Sequence, residues 1–430
     1  MRTPGAGRSS FVPTERRPND AARHGRSWSL PLRRVPPKHG PLTRAGRVKP
    51  TVLLLSTATR WLGTARMPRV LARAGFEVAL LTPPDSLAEK SRYVSRIGHI
   101  SSTAIPMEWL FALLQFVKAV SPQMLVPCDE MAIRLLFALI LDPPRGLDSE
   151  LKARIVSMVT DSLGDPRFYA VSIDKTMLPA AAEAMGVRVP PYGIAASVNE
   201  AIERATVLGY PAVLKRRFGF AGQGVEIVSN RDEVIAAAQR LLQPDQLDLG
   251  ELKRPQLLVQ KFIAGPHYSQ ALVALRGVPL DSFAWERMAG TRPIKGQTTV
   301  LRFVRSPETR EFSERLCREF AMSGFFNVQF IIDERTGEAH MLEINRRLVT
   351  HMHLGERVGR DLGQALFAAL GGQPTPRGSV EGENEGGAVV VFPREWLRDP
   401  QSPHLSEFPV DVPWDEPELV EAMLAMRHEA

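Results

Sequence analysis

The chain has 430 residues, 44% hydrophobic and 23% charged, a balance that suits a globular protein with core enough for about three domains. The net charge of +7 does not describe the body: residues 1–49 hold twelve Lys/Arg against two acids, so the rest is net negative. Two cysteines, Cys128 and Cys317, exclude a disulfide framework or a Cys-based zinc site and fit a reducing cytoplasm. No run of 18 or more apolar residues exists to span a membrane.

Residues 1–49, rich in Pro, Gly, Ser and Arg, lack an apolar h-region, so they read as a disordered basic leader and not as a secretory signal. Nucleic acid is not expected as its partner. From Thr51 the pattern changes. TVLLLS (51–56) and FEVALLT (76–82) read as buried parallel strands, with a helix over 64–74 that stops at Gly75. A helix over 104–120, a strand over 124–127 and an apolar helix after Asp129-Glu130 complete a small parallel α/β domain over 50–165. No GxGxxG follows its first strand, but residues 57–63 lie at that strand's carboxyl end, where open α/β sheets bind ligands.

The next region, 166–372, changes style. Lys175 is expected to open a helix ending at Gly186, and Ser197 with Glu200 reads as a capping box. PAVLKR (211–216) is a strand that presents Lys215 just before the loop FGFAGQG and a returning strand. Glycines there permit φ > 0 and let backbone N–H groups approach an anion. Strands follow over 257–263, 268–275, 277–288 and 298–304. A helix then begins at Ser306-Pro307, with Phe312, Leu316 and Phe320 on its buried face.

The stretch 325–347 reads as a hairpin of two alternating runs around a polar turn. Period 2 puts Asn327 and Gln329 on one face, opposite Phe326, Val328 and Phe330. On the second run Glu343 and Asn345 share a face, with Leu342 and Ile344 opposing them. Gln329, Glu343 and Asn345 then form a cluster of oxygen donors of the kind Mg²⁺ takes, and Arg347 adds a planar fork for phosphate or carboxylate. By itself the pattern also fits a solvated sheet face. The last segment, 373–430, reads as an acidic linker, one strand and a helix, tethered by Trp396 and Trp414 and carrying no chemistry.

The order of these parts resembles the ATP-grasp superfamily over about residues 50–370. The resemblance implies an α/β and α+β fold: two α+β lobes clasping ATP behind a small parallel α/β domain. It implies that Lys175 and Lys215 contact phosphates and that Gly219, Phe220, Ala221, Gly222, Gln223 and Gly224 form a lid over 217–224. Gln260, Lys261 and Ile263 would hold adenine, largely through backbone groups, with His267 near the ribose. Glu343 and Asn345 match the metal ligands of E-x-N-P-R, with Arg347 its arginine. Gln329 stands where many members have an acid, as in the carbamoyl-phosphate synthetase pattern, and Arg346 replaces the proline. ATP and Mg²⁺ (or Mn²⁺) are the implied cofactors, with Arg347 and Lys215 stabilising the transferring phosphoryl group. The implied activity is an ADP-forming ligase that joins a small carboxylate, through an acylphosphate, to an amine or thiol. A bicarbonate-activating carboxylase or carbamoyl-phosphate synthetase-like enzyme, and a nucleotide-binding module without turnover, are the competing readings. His351, His353 and Glu356 are the candidates for the acceptor's base. A homodimer is compatible with the resemblance, and a membrane is not among the expected partners.

Overall fold

A computed structural model of the chain describes residues 33–34, 49–141, 149–219, 224–243, 255–292, 296–371 and 386–426. The leader reading falls outside these, except for Arg33–Arg34, which form a two-residue strand, β1.

β2 (Thr51–Leu55), β3 (Glu77–Thr82), β4 (Val94–His99) and β5 (Met124–Pro127) form a parallel sheet in the order β4-β3-β2-β5, and β1 pairs antiparallel to β4. β4 was not foreseen. Its sequence, VSRIGH, lacks an apolar run because its polar side chains serve the neighbouring strand: Arg96 Nε donates to Glu77 Oε1 at 2.9 Å and Ser95 Oγ to the Val78 carbonyl at 2.9 Å. The helix Leu62–Ala74 packs on one face of this sheet, and the helices Pro106–Val120, Glu130–Leu141 and Ser149–Leu163 cover the other. Alternation along β2 feeds both cores, Val52 and Leu54 one way, Leu53 and Leu55 the other.

β6 (Tyr192–Ala195), β7 (Ala212–Arg216), β8 (Val225–Val228) and β9 (Leu257–Lys261) form a four-stranded antiparallel sheet in the order β6-β9-β7-β8. The helices Val198–Leu208 and Arg231–Leu241 pack on it and close a core of their own. Ser197 caps the first as expected, accepting from the Glu200 N–H.

β10 (His267–Leu275), β11 (Val278–Gly290), β12 (Thr298–Val304), β13 (Gly324–Ile332), β14 (Ala339–Asn345) and β15 (Ala388–Val390) make a six-stranded antiparallel sheet in the order β14-β13-β10-β11-β12-β15. One face buries the helix Pro307–Glu319. The other meets the N-terminal domain in a single core running from Val52 and Leu54 through Ala271, Val273 and Trp285 to Leu362, Leu366 and Val389. Ser306 precedes the helix Pro307–Glu319 as foreseen, but its side chain makes no capping bond.

The C-terminal segment is held differently from expectation. Trp414 is 79% exposed and tethers nothing, while Leu419 and Met423 pack on Leu62, Ala65 and Leu87 of the N-terminal domain. Asp411 joins three parts of the chain, since its carboxylate pairs with Arg66 at 2.9 Å and with His353 Nε2 at 2.6 Å. No described helix is long and apolar enough to cross a membrane.

Candidate functional site

A deep cleft opens between the four-stranded and six-stranded sheets. Lys215, Gln260, Lys261, Ile263, His267, Gln329, Glu343, Asn345 and Arg347 all line it. The hairpin register is the one that alternation requires: Asn327 faces Asn345 and Gln329 faces Glu343. One detail differs. A bulge follows the Gln329–Glu343 pair, so Leu342 is inserted in the ladder and lines the cleft instead of pointing away from Glu343.

Lys175 precedes the helix Leu178–Ala184 and does not open it. It sits in a turn built on buried Asp174, whose carboxylate accepts from Thr176 N at 2.8 Å, Thr176 Oγ1 at 2.7 Å and Arg217 Nε at 2.6 Å. The Lys175 N–H also donates to the Arg217 carbonyl, tying this turn to the end of β7. Lys175 Nζ donates to the Gly219 carbonyl at 2.7 Å and lies 3.6 Å from Glu343 Oε2. Gly219 and Gly224 hold φ of 144° and 75°, as turn glycines should. Phe220, Ala221, Gly222 and Gln223 lie outside the described residues.

Glu343 is the centre of charge. Desolvation works to raise its pKa, but Lys175, Lys215 and Arg347 outweigh this and hold it below the ordinary glutamate value. Lys215 is buried, and desolvation brings it down to about 8 against the attraction of Glu343. Three cations around one carboxylate leave an excess of positive charge, which suits a polyanion. Arg347 donates to Asn345 Oδ1 at 3.2 Å and lies 3.6 Å from Glu130 Oε2 of the N-terminal domain. Arg346 turns to the opposite side, where it bonds Ser172 Oγ at 3.0 Å and the Leu163 carbonyl. The residue standing in place of proline is thus a buried anchor, and the ligand face of the hairpin is undisturbed.

At the other end, Gln260 is 2% exposed, and neither its carboxamide oxygen nor its nitrogen has a hydrogen-bond partner. Buried amides are rarely left so, and this one belongs to a residue that lines the cleft. The N–H groups of Lys261 and Phe262 are already used on Pro191 O and Pro211 O. A ligand edge here would thus meet the Gln260 side chain. Burial first, then the charges of Arg287 and Lys215, push His267 down to about 4, so it is neutral.

Two further cleft residues, Trp61 and Arg394, were given no role in the site from sequence. Trp61 comes from the loop at the carboxyl end of β2, within the stretch 57–63 singled out by position alone. Asp129 shapes that loop, accepting from Thr57 N, Thr57 Oγ1 and Ala58 N at 2.6–3.1 Å. A side chain at Gly63 would meet the indole at 2.8 Å, so only glycine lets Trp61 lie back on the hairpin exit, where its Nε1 donates to Leu348 O at 3.1 Å. Arg394 comes from the C-terminal segment, which was read as carrying no chemistry. His351 also lines the cleft, whereas His353 is bound to Asp411 and Glu356 pairs with Arg69 at 2.9 Å away from it. Of the three candidate bases only His351 is in place. Burial first, then the charge of Arg394, push it down to about 3, so it is neutral.

The family model described as an ATP-grasp domain matches residues 173–351. The carbamoyl phosphate synthase large chain of Pyrococcus furiosus is 27% identical over 173 residues, 38% of this chain but only 15% of that one. D-alanine–D-alanine ligase B of Pseudomonas putida is 24% identical over 228 residues, 49% of this chain and 67% of that one. Among solved structures, the biotin carboxylase domain of Hydrogenobacter thermophilus 2-oxoglutarate carboxylase, in complex with MgADP, ADP and bicarbonate, superposes with TM-score 0.58 at 19% identity. That superposition covers 80% of this chain and 74% of that one. Residues 173–351 thus resemble an ATP-grasp domain, and the chain has the two-lobed fold of the superposed structure behind a parallel α/β domain. The match spans under a fifth of the first relative's length.

Proposed function

We propose that the chain is an ATP-dependent ligase that activates a small carboxylate as an acylphosphate, forms ADP, and passes the acyl group to an amine or thiol. The observation that carries this reading is the convergence of Lys175, Lys215 and Arg347 on Glu343, in a cleft whose far end holds the unpartnered Gln260 carboxamide. Gln260 would accept from an adenine amino group and donate to a ring nitrogen, with Ile263 and Lys261 at the base's edge and His267 toward the ribose. Lys175 and Lys215 would hold phosphates, with Gly219, Phe220, Gly222, Gln223 and Gly224 as the lid.

Mg²⁺ fits the hairpin. Glu343, Asn345 and Gln329 are hard oxygen donors on two paired strands, and one carboxylate with two neutral amides leaves room for phosphate oxygens. When bound, the metal would neutralise charge on the phosphates. The protein's own contribution is alignment and charge. An acid oxygen attacks the γ-phosphorus as the bond to the β–γ bridging oxygen breaks. Arg347 and Lys215 balance the negative charge on the transferring group. The amine or thiol then displaces phosphate from the acyl carbon and gives up a proton. A neutral His351 in the cleft is placed to take that proton once anionic substrates lift its basicity. Closure of the cleft would protect the acylphosphate from water.

The test is ADP release by the full chain with MgATP against a panel of carboxylic acids, each with amines and thiols, followed by mass analysis of the product. An acid-dependent ADP signal with a condensed product supports the ligase. ADP release that needs no acid, or none with any pairing, removes it.

A further inference from the structure

Arg347 is only 4% exposed, yet no acceptor grips it closely. Its Nη2 donates to Asn345 Oδ1 at 3.2 Å and its Nη1 to the Leu348 carbonyl at 3.3 Å. Glu130 Oε2 lies 3.6 Å from Nε, too far for a hydrogen bond, and Nε has no hydrogen-bond partner among the described residues. A short two-pronged pair with a carboxylate would fix the fork but would also use up the donors and the charge it brings to the cleft. The fold uses a ring instead. The Arg347 guanidinium carbon lies over the Trp61 ring, 4.9 Å from its centroid. An indole face attracts the cation and leaves the N–H groups on the edge of the fork able to donate outward.

Trp61 is itself held by the N-terminal domain. It precedes the helix Leu62–Ala74, in the loop that the Asp129 carboxylate organises through Ser56 Oγ, Thr57 N, Thr57 Oγ1 and Ala58 N. Its Nε1 donates at 3.1 Å to the Leu348 carbonyl, the oxygen that also accepts from Arg347 Nη1. The Leu348 N–H in turn donates to the Pro127 carbonyl at the end of β5. Ring, arginine and hairpin exit therefore share one acceptor, and the exit is tied twice to the N-terminal domain. Trp61 and Arg347 both line the cleft, and Arg347 is one of the three cations that act on Glu343.

We propose that Trp61 is a positioning residue for Arg347: its ring, supplied by the N-terminal domain, sets the plane of the guanidinium so that the free edge meets the outermost phosphate of a bound nucleoside triphosphate. The inference rests on the ligase reading in one respect, that Arg347 meets the transferring phosphoryl group. It adds to that reading a residue from outside 173–351 that touches no reacting atom and acts through the arginine.

The test is titration calorimetry on the full chain with Mg²⁺, using ADP and the non-hydrolysable ATP analogue with an imido bridge between its β- and γ-phosphates. The quantity read is the ratio of the two affinities, which isolates the γ-phosphate. Parent protein, Trp61→Phe, Trp61→Leu, Arg347→Met and the double variant Trp61→Leu/Arg347→Met are compared. Arg347→Met should lower the ratio about 10- to 100-fold. Trp61→Leu, which fills space without a π face, should lower it about 3- to 30-fold. Trp61→Phe keeps the face, loses the bond to Leu348, and should stay within about threefold of the parent. ADP affinity should hold within about twofold throughout. In the double variant the Trp61 change should add nothing to the Arg347 change, because one side chain acts through the other. Additive effects in the double variant overturn the proposal, as does a Leu variant that keeps the ratio of the Phe variant. Should Trp61→Leu lose ADP binding, Trp61→Met is read in its place, and loss of ADP binding there too would make the ring a structural support and overturn the positioning role. A parent that binds neither nucleotide, or a ratio unmoved by Arg347→Met, would instead remove the reading of Arg347 on which the inference rests.

Discussion

The two walls of the cleft are built differently. The four-stranded sheet and its two helices close a core of their own, whose buried residues all fall between Ala195 and Val259. The six-stranded sheet has no such independence. Its core runs into the N-terminal sheet and the C-terminal segment, so residues from Val52 to Val391 share one interior. The wall with Glu343, Asn345 and Arg347 is thus rigidly backed, while the wall with Lys215 and the glycine loop can shift as a unit without opening a shared core. Lys215 on the movable wall and the oxygen donors of the hairpin on the fixed one suit a cleft that closes over what it binds.

The largest expected effect tests the fixed wall. Glu343→Gln keeps the side chain's shape and removes the only formal negative charge among Gln329, Glu343 and Asn345. Turnover should fall about a hundredfold or more, since several kcal/mol of charge stabilisation are lost. Nucleotide should still dock through the movable wall. ADP formation measured against Mg²⁺ concentration checks this. Partial rescue at high Mg²⁺ is expected, and an unchanged curve would return the hairpin to a solvated sheet face.

The comparison itself breaks or holds on two core substitutions. Leu54→Ala and Leu257→Ala each remove a fully buried leucine, at about 2–5 kcal/mol locally. Leu54→Ala should lower the main calorimetric transition. Leu257→Ala should instead split off an early one, with hydrogen exchange rising only across 192–261. A single lowered transition in both would mean that the walls unfold together.

Much of the fixed wall was legible because strand alternation is local. Asn327, Gln329, Glu343 and Asn345 were placed on one face from period 2 alone, and the register agrees. The bulge at Leu342 was not legible, since nothing in MLEIN marks an inserted residue. β4 was missed because Ser95, Arg96 and Gly98 break its hydrophobic run while serving the strand beside it. Trp61 and Arg394 show the deeper limit. They lie far apart in sequence from each other and from the hairpin, and only the tertiary fold brings Arg347 and Arg394 to the Trp61 ring. No motif encodes such a meeting, whereas Lys215 and Gln260 were readable from their place beside the glycine loop and the linking strand.

Lys215 tests the movable wall, with a smaller effect. Lys215→Ala should weaken ATP about 10- to 100-fold, the loss of a charged hydrogen bond worth about 1.5–3 kcal/mol, with the fold kept. Calorimetry with ATP checks it. Burial sets this lysine at about 8 in the free protein, and a bound phosphate would hold its proton. The linkage then has one sign: parent affinity falls as pH rises through about 8, and Lys215→Ala loses that dependence. An identical pH profile in both proteins would place the phosphates elsewhere.

The smallest effect discriminates most finely between the walls. Ser197 caps the helix Val198–Leu208 by accepting from the Glu200 N–H, and Asp361 caps the helix Leu362–Leu370 by accepting from the Gln364 N–H. Losing either cap costs about 1 kcal/mol. The two helices differ in what they hold. Leu362 and Leu366 belong to the interior shared by the N-terminal and six-stranded sheets, whereas Ala201 and Ala205 belong to the small core alone. Asp361→Ala should therefore lower the main thermal transition by a few degrees. Ser197→Ala should leave that transition in place, raise hydrogen exchange over 195–209, and weaken ATP by a few-fold at most, because Lys215 is carried by the same small core. Exchange is the decisive readout, since it reports each wall separately. A main transition lowered equally by both substitutions would show that the small wall draws its stability from the shared interior, and closure would then have to come from the glycine loop alone.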